Sequence, residues 1–445
     1  MGHFHTWVIS AFAINFISLF FIQQKNKWAF LTQIFNTVAI SAFLVAVTLI
    51  KEYKLGDDFF LSVENRRILL FATAAHFIIQ YFLFFKRHKF SPWWSYFGIN
   101  SLWGLFVLMA AQNFILFIAA YLIMVLSTFI LLVRSSESGF SFVYFLYSKY
   151  LLSLFLASLS LIFFVLGTGG TTFASSAIIH KGLVELSLVL FFIVIIIESE
   201  IIKWKENLPL LQRWEENYGQ YFYVQYIIKP SIIWCLLSRL KLMTNSFQME
   251  RQFDIVLTGF LVLYLIYFIY HAYKSIDFFE HIANLIKLNF LIILSYLFVP
   301  FPYFKNDVLA FSLLSLSTAS VALLCLICKR DLNGDAFVGL YFKNKIYVLT
   351  VLYFLGSLLG LPLTSTFFFR FSAMATAWQY SLGFFILQLI CACLLIWQFV
   401  LVIKMVFNKR KETFIVFKMD TFRIVLVGFL FVTTFYGGFW SFMRF

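Results

Sequence analysis

The sequence predicts an all-α protein that crosses a membrane many times. The chain has 445 residues, of which 62% are hydrophobic and only 12% are charged. Its mean hydropathy is +0.91. Apolar runs of about 20 residues, the length that spans a bilayer as a helix, recur from end to end. Soluble domains do not combine these properties, so we expect a polytopic membrane protein.

Fourteen apolar segments are helix candidates. They lie near residues 6–22, 29–50, 66–85, 94–111, 113–133, 142–166, 183–203, 220–240, 253–274, 283–301, 307–328, 345–370, 380–407 and 422–440. The loops between them are short, and no soluble domain intervenes.

The positive charge of the chain is explained by the membrane. The formal net charge is +14, and most lysines and arginines lie in the short loops. The odd-numbered loops hold about twice as many of them as the even-numbered loops and the C-terminus together. The odd loops should therefore face the matrix or cytoplasm, and a nucleic-acid partner is not expected.

Composition also bears on origin and on cofactors. The 62 phenylalanines suggest an AT-rich genome, as in many organelles, and Met1 leads almost directly into the first apolar segment without an evident presequence. Cys325 and Cys328 have CxxC spacing but lie on an apolar segment without a second ligand pair, so we interpret them as small hydrophobic residues. The sequence shows no Walker A loop, dinucleotide fingerprint or cysteine set typical of an iron–sulfur cluster.

The most informative segment is GLPLTSTFFFRF at residues 360–371. Gly360 and Pro362 interrupt an apolar run and leave backbone groups that lipid cannot satisfy, so the break must face protein or water. Arg370 follows about two turns later, and a charge at that depth costs at least ~2.5 kcal/mol on insertion scales. Together these features indicate part of an ion path.

Residues 335–407 resemble the subunit 2 family of respiratory NADH:ubiquinone oxidoreductase, complex I. The family shows a D-L-x-G-L loop and a helix ending in L-S-L-x-G-I-P-P-x-x-G-F-x-x-K-F. The matching residues here are Asp335 to Leu340, then Gly356-Ser357, Gly360-Leu361-Pro362 and Phe368-Phe369-Arg370-Phe371. Arg370 replaces the lysine of the family, which keeps the charge but does not readily release a proton.

Residues 117–172 carry a second region of resemblance. Lys149-Tyr150 match a K-Y pair of the family, and Gly169 to Thr172 match its T-G-T-T loop. The family pairs a glutamate on helix 5 with a lysine on helix 7. Those two positions fall on Tyr121 and near Ile195, so both members of the first charge pair are replaced.

Glu198 is the candidate substitute for the missing charge pair. It lies one turn after Ile195 in an otherwise aliphatic segment. One interpretation is a displaced protonatable site. The other is that Glu198 and Glu200 lie at the membrane edge next to Lys203, where charges reach water. The family also breaks helix 7 here, at a V-P-F-H-x-W segment that lacks its proline in this chain.

Four lysines complete the candidate path. Lys229 takes the place of the helix 8 lysine of the family, although Pro230 after it departs from the pattern and is expected to disturb the helix. Lys287 falls on a helix 10 histidine of the family, flanked by Asn284 and Asn289, which could hold waters. Lys149 is the third. Lys404 lies near the end of helix 13, where membrane anchoring is as plausible as conduction. His76 and His271 are interpreted as structural residues.

The resemblance implies a fold and a function. The fold would have two inverted five-helix antiporter-like repeats, and the chain would divide into N-terminal transmembrane helices 1–111, a first repeat 94–240, a second repeat 253–407 with the broken helix 345–370, and a C-terminal helix 408–445. The chain would be a proton-translocating subunit of complex I in the mitochondrial inner membrane, with a path through Lys229, Lys287 and Arg370.

The same resemblance implies partners. Other membrane-arm and accessory subunits and lipids such as cardiolipin would surround the chain in an obligate hetero-oligomer, and NAD, FMN, iron–sulfur clusters and ubiquinone would belong to other subunits. Two alternatives remain open at this point. The chain could be a membrane-arm scaffold without a proton path of its own, or a subunit of a related multi-subunit cation/proton antiporter.

Overall fold

The computed structural model describes most of the chain between residues 92 and 408. The described residues are 13, 53–55, 59–62, 65–73, 76, 92–135, 140–173, 178–199, 224, 228–275, 278–300, 303–327, 340–343, 345–362, 364–408, 424 and 427–435. Of the fourteen predicted helices, the first two therefore lie outside the described part of the chain, apart from a single residue.

Twelve helices and one hairpin can be given bounds within the described residues. The helices are α1 (Pro92–Ala110), α2 (Phe114–Ser135), α3 (Phe140–Thr168), α4 (Lys181–Glu198), α5 (Lys229–Ser246), α6 (Glu250–Lys274), α7 (Phe278–Ser295), α8 (Asn306–Ile327), α9 (Leu340–Lys343), α10 (Lys345–Leu359), α11 (Ser365–Tyr380) and α12 (Leu382–Val406), and a 3₁₀ turn, Tyr296–Phe298, extends α7. Residues 65–73 and 427–435 are also helical.

The predicted membrane character is confirmed. Five helices in the described part are long and apolar enough to cross a bilayer, namely Phe114–Leu131, Tyr147–Thr168, Glu250–Lys274, Glu280–Phe298 and Leu382–Val406. Tyr96–Ala110 and Lys345–Leu359 are shorter apolar helices. The chain is a multi-pass membrane protein, and its described residues are all-α apart from one small hairpin.

That hairpin is a feature that helix periodicity does not predict. β1 (Tyr53–Leu55) pairs antiparallel with β2 (Phe59–Leu61), with Tyr53 opposite Leu61. Gly56, Asp57 and Asp58 lie between the strands in sequence, and these residue types are typical of hairpin turns. β2 contacts α1, and Phe59 also bridges to Ala111 at the start of the next connection.

The chain divides into two compact units, whose described helices are α1–α5 and α6–α12. In the first unit α3 packs along α4, α1 packs along α2, and α5 contacts both α4 and α1. A cluster of phenylalanines fills the centre, with Phe114 within 5.1 Å of Phe164 and 5.6 Å of Phe191 between ring centroids. These large rings bury apolar area where three helices meet.

A reciprocal serine pair and a glycine fix α3 against α4. Ser160 Oγ donates to the Ser187 carbonyl at 2.9 Å, and Ser187 Oγ donates to the Ser160 carbonyl at 2.8 Å. A Cβ on Gly167 would lie 3.1 Å from the Val184 backbone nitrogen. Small residues of this kind allow close approach of helices within a membrane.

In the second unit α7 lies at the centre. It has its most extensive contact with α12 and further contacts with α6, α8 and α10. The segment 345–370, predicted as one interrupted helix, forms two helices, α10 and α11, because the chain breaks at Gly360.

Candidate proton-path sites

The first site is a buried carboxylate with two hydroxyl partners. Glu198, the last residue of α4, is 2% exposed. Its Oε1 accepts a hydrogen bond from Tyr121 Oη on α2 at 2.5 Å and another from Ser153 Oγ on α3 at 2.9 Å. The two hydroxyl oxygens also lie in contact with each other, and because each hydroxyl has one proton, two of these three contacts can be hydrogen bonds at a time while Glu198 is ionised. We call Glu198, Tyr121 and Ser153 the carboxylate cluster.

The carboxylate cluster lies within the membrane-spanning part of the first unit. Tyr121 is seven residues after Phe114 and ten before Leu131, the ends of its apolar span. At 1.5 Å per residue these distances are about 10 and 15 Å along the helix. Tyr121 and Ser153 are both fully buried. This position contradicts the interpretation of Glu198 as a membrane-edge residue reaching water.

The carboxylate cluster gives a physical account of the missing charge pair. Tyr121 takes the expected glutamate position on α2, and Ile195 is buried among aliphatic residues on α4. A buried acidic group is present in this unit, but it comes from α4, and α2 supplies a phenol that contacts it. Ser153 completes the site and was not predicted. Its only signal in the sequence is its place one helical turn after Lys149.

Lys149 is the predicted cation nearest to the cluster in sequence. It lies on α3, is 3% exposed, and has its Nζ 5.6 Å from the centroid of the Tyr150 ring. It is four residues before Ser153, so the two side chains lie on the same face of α3. The structure thus places a buried lysine, a serine and a buried acid along one side of the α3–α4 pair.

Lys229 lies where the helix changes type. It is the first residue of α5 and is buried, and Val224 and Ile228 before it are π-helical. Pro230 lies in the first turn of α5, so the expected disturbance lies at the beginning of this helix, where the proline has no N–H to donate. Single π-helical turns are frequent at functional sites.

Arg239, further along α5, has a structural role. Its guanidinium donates to the Met109 carbonyl at 3.2 Å and to Gln112 Oε1 at 3.3 Å, and it lies over the Phe173 ring. Asn65 Nδ2 donates to the same Met109 carbonyl at 2.7 Å. Arg239 therefore satisfies a carbonyl in the last turn of α1, which a helix end otherwise leaves without a partner.

The second site is the helix break. Gly360 has φ +76°, its N–H donates to the Ser357 carbonyl at 3.0 Å, and the Leu361 N–H donates to the Gly356 carbonyl at 2.9 Å. These two bonds are those of a Schellman motif, which ends a helix at a residue in the left-handed conformation. Thr366 Oγ1 donates to the Ser357 carbonyl from the other side of the break. The break is thus closed by the protein itself.

Arg370 is bound to that helix end. It lies on α11 and is nearly buried, and its guanidinium donates to the Leu358 and Leu359 carbonyls and to Asn289 Oδ1, the last at 2.6 Å. A cation at a helix C-terminus also complements the helix dipole. Arg370 therefore stabilises the end of α10.

Lys287 and the contact with Arg370 lie on different sides of α7. Lys287 is half-buried on α7. Asn289, which contacts Arg370, is two residues further on and is therefore rotated by about 160° around the helix axis. Asn289 Nδ2 also donates to the Leu285 and Leu358 carbonyls. The amide of Asn289 is thus hydrogen-bonded to protein groups. It does not lie beside Lys287, where the sequence suggested that it could hold a water.

Sequence reasoning missed a buried histidine in the second unit. His281 on α7 is 1% exposed, and its Nδ1 lies 2.7 Å from Oε1 of Gln398, a fully buried residue on α12. A second glutamine of α12, Gln388, donates to Ser295 Oγ at 2.8 Å. Both glutamines lie in an apolar run of the sequence. Their polarity within that run was the only feature from which a buried role could have been predicted.

The remaining predicted residues lie apart from these sites. Lys404 is exposed in the last turn of α12, which suits anchoring. His271 packs on Tyr267 at 4.3 Å between ring centroids. Cys235 and Cys391 are buried thiols, whereas the side chains of Cys325 and Cys328 fall outside the described residues. Among the described residues, no three His, Cys, Asp or Glu side chains are grouped as for a metal ion.

No protein-family model and no curated protein sequence matches the chain. Solved structures do match in fold. A chain of respiratory complex I from Thermus thermophilus, solved with bound aureothin, is 14% identical with a TM-score of 0.71, over 98% of this chain and 96% of that one. A chain of the membrane-bound sulfane sulfur reductase, an archaeal respiratory membrane complex, is 13% identical with a TM-score of 0.71, over 97% of this chain and 94% of that one. The chain thus has, over nearly its whole length, the fold of a chain from respiratory membrane complexes, as the resemblance predicts.

Proposed function

We propose that the chain is a membrane-arm subunit of complex I, of the subunit 2 type, and takes part in proton translocation coupled to NADH oxidation and ubiquinone reduction. It lies in the mitochondrial inner membrane and assembles with other membrane-arm and accessory subunits and with lipids such as cardiolipin. NAD, FMN, iron–sulfur clusters and ubiquinone belong to other subunits. The full chain has about 14 transmembrane helices in two inverted five-helix repeats.

The carboxylate cluster is the observation that carries proton translocation. A buried acid inside a membrane span costs free energy and contributes nothing to apolar packing. Here it is held by Tyr121 and Ser153, two hydroxyls that can each donate or accept a hydrogen bond. Such a site can hold its proton or release it with its partners in place.

The hydroxyl partners suggest how a proton would pass. When Glu198 is ionised, Tyr121 and Ser153 donate to it, as the distances indicate. When Glu198 is protonated, its own O–H can donate, and the hydroxyls can rotate to accept. Lys149 on the same face of α3 and Lys229 on α5 are the buried cations of this unit that would exchange protons with the cluster. In the second unit Lys287 continues the path.

The subunit type rests on the helix break. Gly360-Leu361-Pro362 followed by Phe369-Arg370-Phe371 resembles subunit 2, since the sister subunits carry other residues after the break. Fold likeness to two respiratory complexes supports assembly with redox subunits.

Native-gel separation of solubilised membranes tests the assembly. We expect peptides of the chain in the band that oxidises NADH, together with flavin and iron–sulfur subunits, as identified by mass spectrometry. Migration in a smaller assembly without redox subunits would instead indicate a cation/proton antiporter subunit.

Replacement of the acid tests proton translocation. Glu198→Gln keeps size and hydrogen bonding but cannot ionise, so the protons moved per NADH oxidised should fall while assembly is retained. Glu185→Gln, on the exposed face of the same helix beside Lys181, is the matched control and should change neither quantity. An unchanged proton yield in Glu198→Gln would identify the chain as a membrane-arm scaffold. The measurement is acidification-dye quenching in sealed vesicles, at matched NADH oxidation.

A further inference from the structure

We propose that His281, held by Gln398, is a proton-relay residue of the second unit and exchanges protons with Lys287 past Asn284. This inference rests on the proposed function and adds to it a residue that the sequence did not indicate. It starts from the position of the His281–Gln398 pair between α7 and α12, the two helices with the largest contact in this unit.

The pair lies inside the protein. His281 is 1% exposed, Gln398 is 0% exposed, and both belong to apolar spans, Glu280–Phe298 and Leu382–Val406. An imidazole and a carboxamide at such a position cost free energy relative to aliphatic residues of similar size. Packing alone therefore does not account for them.

The geometry fixes which imidazole nitrogen is available for proton exchange. A carboxamide oxygen only accepts hydrogen bonds, so Nδ1 of His281 must carry a proton and donate it to Gln398 Oε1. Nε2 is then the atom that gains or loses the transferred proton. The Nδ1–H bond is the same in the neutral and the cationic ring. Because Gln398 is uncharged, it positions His281 without favouring one charge state as a carboxylate would.

Gln398 also points to water at this position. Its Nε2 is buried and has no hydrogen-bond partner among the described residues. An unsatisfied buried amide donor costs about 1–3 kcal/mol, and an ordered water is the usual remedy. A water bound to this amide would lie beside the imidazole of His281. There it could carry a proton to or from the ring.

A row of polar residues connects His281 with Lys287. His281, Asn284 and Lys287 follow at intervals of three along α7, and residues three apart are neighbours on a helix surface. Asn284 is buried, and its Nδ2 donates to Ser275 Oγ at 3.2 Å. The row runs from half-buried Lys287 toward the beginning of α7. Arg370 approaches on the Asn289 side and is not part of this row.

The test compares four variants in the assembled complex, namely His281→Gln, Gln398→Glu, Glu198→Gln and a control, in sealed vesicles at matched NADH oxidation. His281→Gln removes the imidazole and should lower the protons moved per NADH oxidised, as Glu198→Gln should. His271→Gln, a half-buried histidine on neighbouring α6, is the control and should leave the yield unchanged.

Gln398→Glu separates a relay from a structural role. It keeps the shape and the acceptor oxygen, so a structural role predicts full activity. As a relay, His281 would be held as a cation by the new carboxylate, and the proton yield should fall with the amount of complex unchanged on native gels. This variant also decides the matter if His281→Gln fails to assemble.

The outcomes distinguish the two proposals. A full proton yield in Gln398→Glu or in assembled His281→Gln, with a reduced yield in Glu198→Gln, overturns the role of His281 and leaves the proposed function standing. A full yield in His281→Gln, Gln398→Glu and Glu198→Gln overturns both the role of His281 and proton translocation by this chain. Reduced yields in these three variants support both proposals.

Discussion

The two units of the chain each bury a charged side chain, but they bind it in opposite ways. Glu198 in the first unit is held by side-chain hydroxyls of Tyr121 and Ser153. Arg370 in the second unit is held mainly by backbone carbonyls at the end of α10. Hydroxyls can rotate and exchange donor and acceptor roles, whereas the carbonyls of a helix end cannot. The difference suggests that Glu198 serves chemistry and Arg370 serves structure.

The largest effect should come from removal of Arg370. Arg370→Ala leaves the Leu359 carbonyl and Asn289 Oδ1 without the guanidinium donor, at about 1–3 kcal/mol for each buried group, and leaves the Leu358 carbonyl with Asn289 Nδ2 as its remaining donor. We expect most of the assembled complex to be lost on native gels. Arg251→Ala, at an exposed arginine of α6, is the control and should assemble normally. Normal assembly of Arg370→Ala, with loss of proton translocation alone, would show that Arg370 serves proton translocation rather than structure.

A smaller effect on stability should follow from Gly360→Ala. The left-handed backbone at φ +76° costs about 1–2 kcal/mol for a residue with a Cβ, and that Cβ would lie 2.7 Å from Arg370 Cδ. The midpoint of thermal dissociation of the complex should therefore fall. Gly259→Ala in α6, where a Cβ would meet nothing within 4 Å, should not lower it. Equal midpoints for the two variants would show that neither the left-handed backbone nor the contact with Arg370 makes glycine necessary at this position.

Tyr121→Phe should sharpen the view of the first unit. It removes one of two donors to Glu198 while Ser153 remains and the acid is kept, so we expect a smaller loss of proton yield than with Glu198→Gln. Tyr147→Phe, on the exposed face of α3, is the matched control. Dye quenching per NADH oxidised is the measurement. A loss as large as that of Glu198→Gln would make the phenol itself an obligatory carrier.

The smallest effect belongs to Lys404→Gln. The residue is exposed in the last turn of α12, so the proton yield of the variant should equal that of the unchanged protein. Because surface charges contribute little to stability, the amount of assembled complex should also change little. A reduced proton yield would place Lys404 on the path.

Local patterns predicted the membrane class and the helix break, because the effects of apolar runs, glycine and proline depend on residues that are close in sequence. Gly360 marks the end of α10, as expected. The local sequence around Gly360 could not show that the Arg370 side chain binds this helix end. Glu198 was identified because a lone acid is conspicuous among isoleucines. Its partners were not, because Ser153 lies 45 residues away and only the packing of α3 on α4 brings them together. His281 and Gln398 are 117 residues apart and were missed for the same reason.

The binding of Arg370 to the end of α10 also limits how far its charge acts. A helix C-terminus carries roughly half a negative elementary charge on its free carbonyls, and the guanidinium lies directly against them. Seen from a distance, the two form a partly neutralised pair whose potential decays more steeply with distance than that of an isolated cation. A proton elsewhere in the unit therefore experiences only part of a unit charge from this arginine. A lysine that titrates at this position would switch that field on and off, whereas the arginine keeps it small and constant.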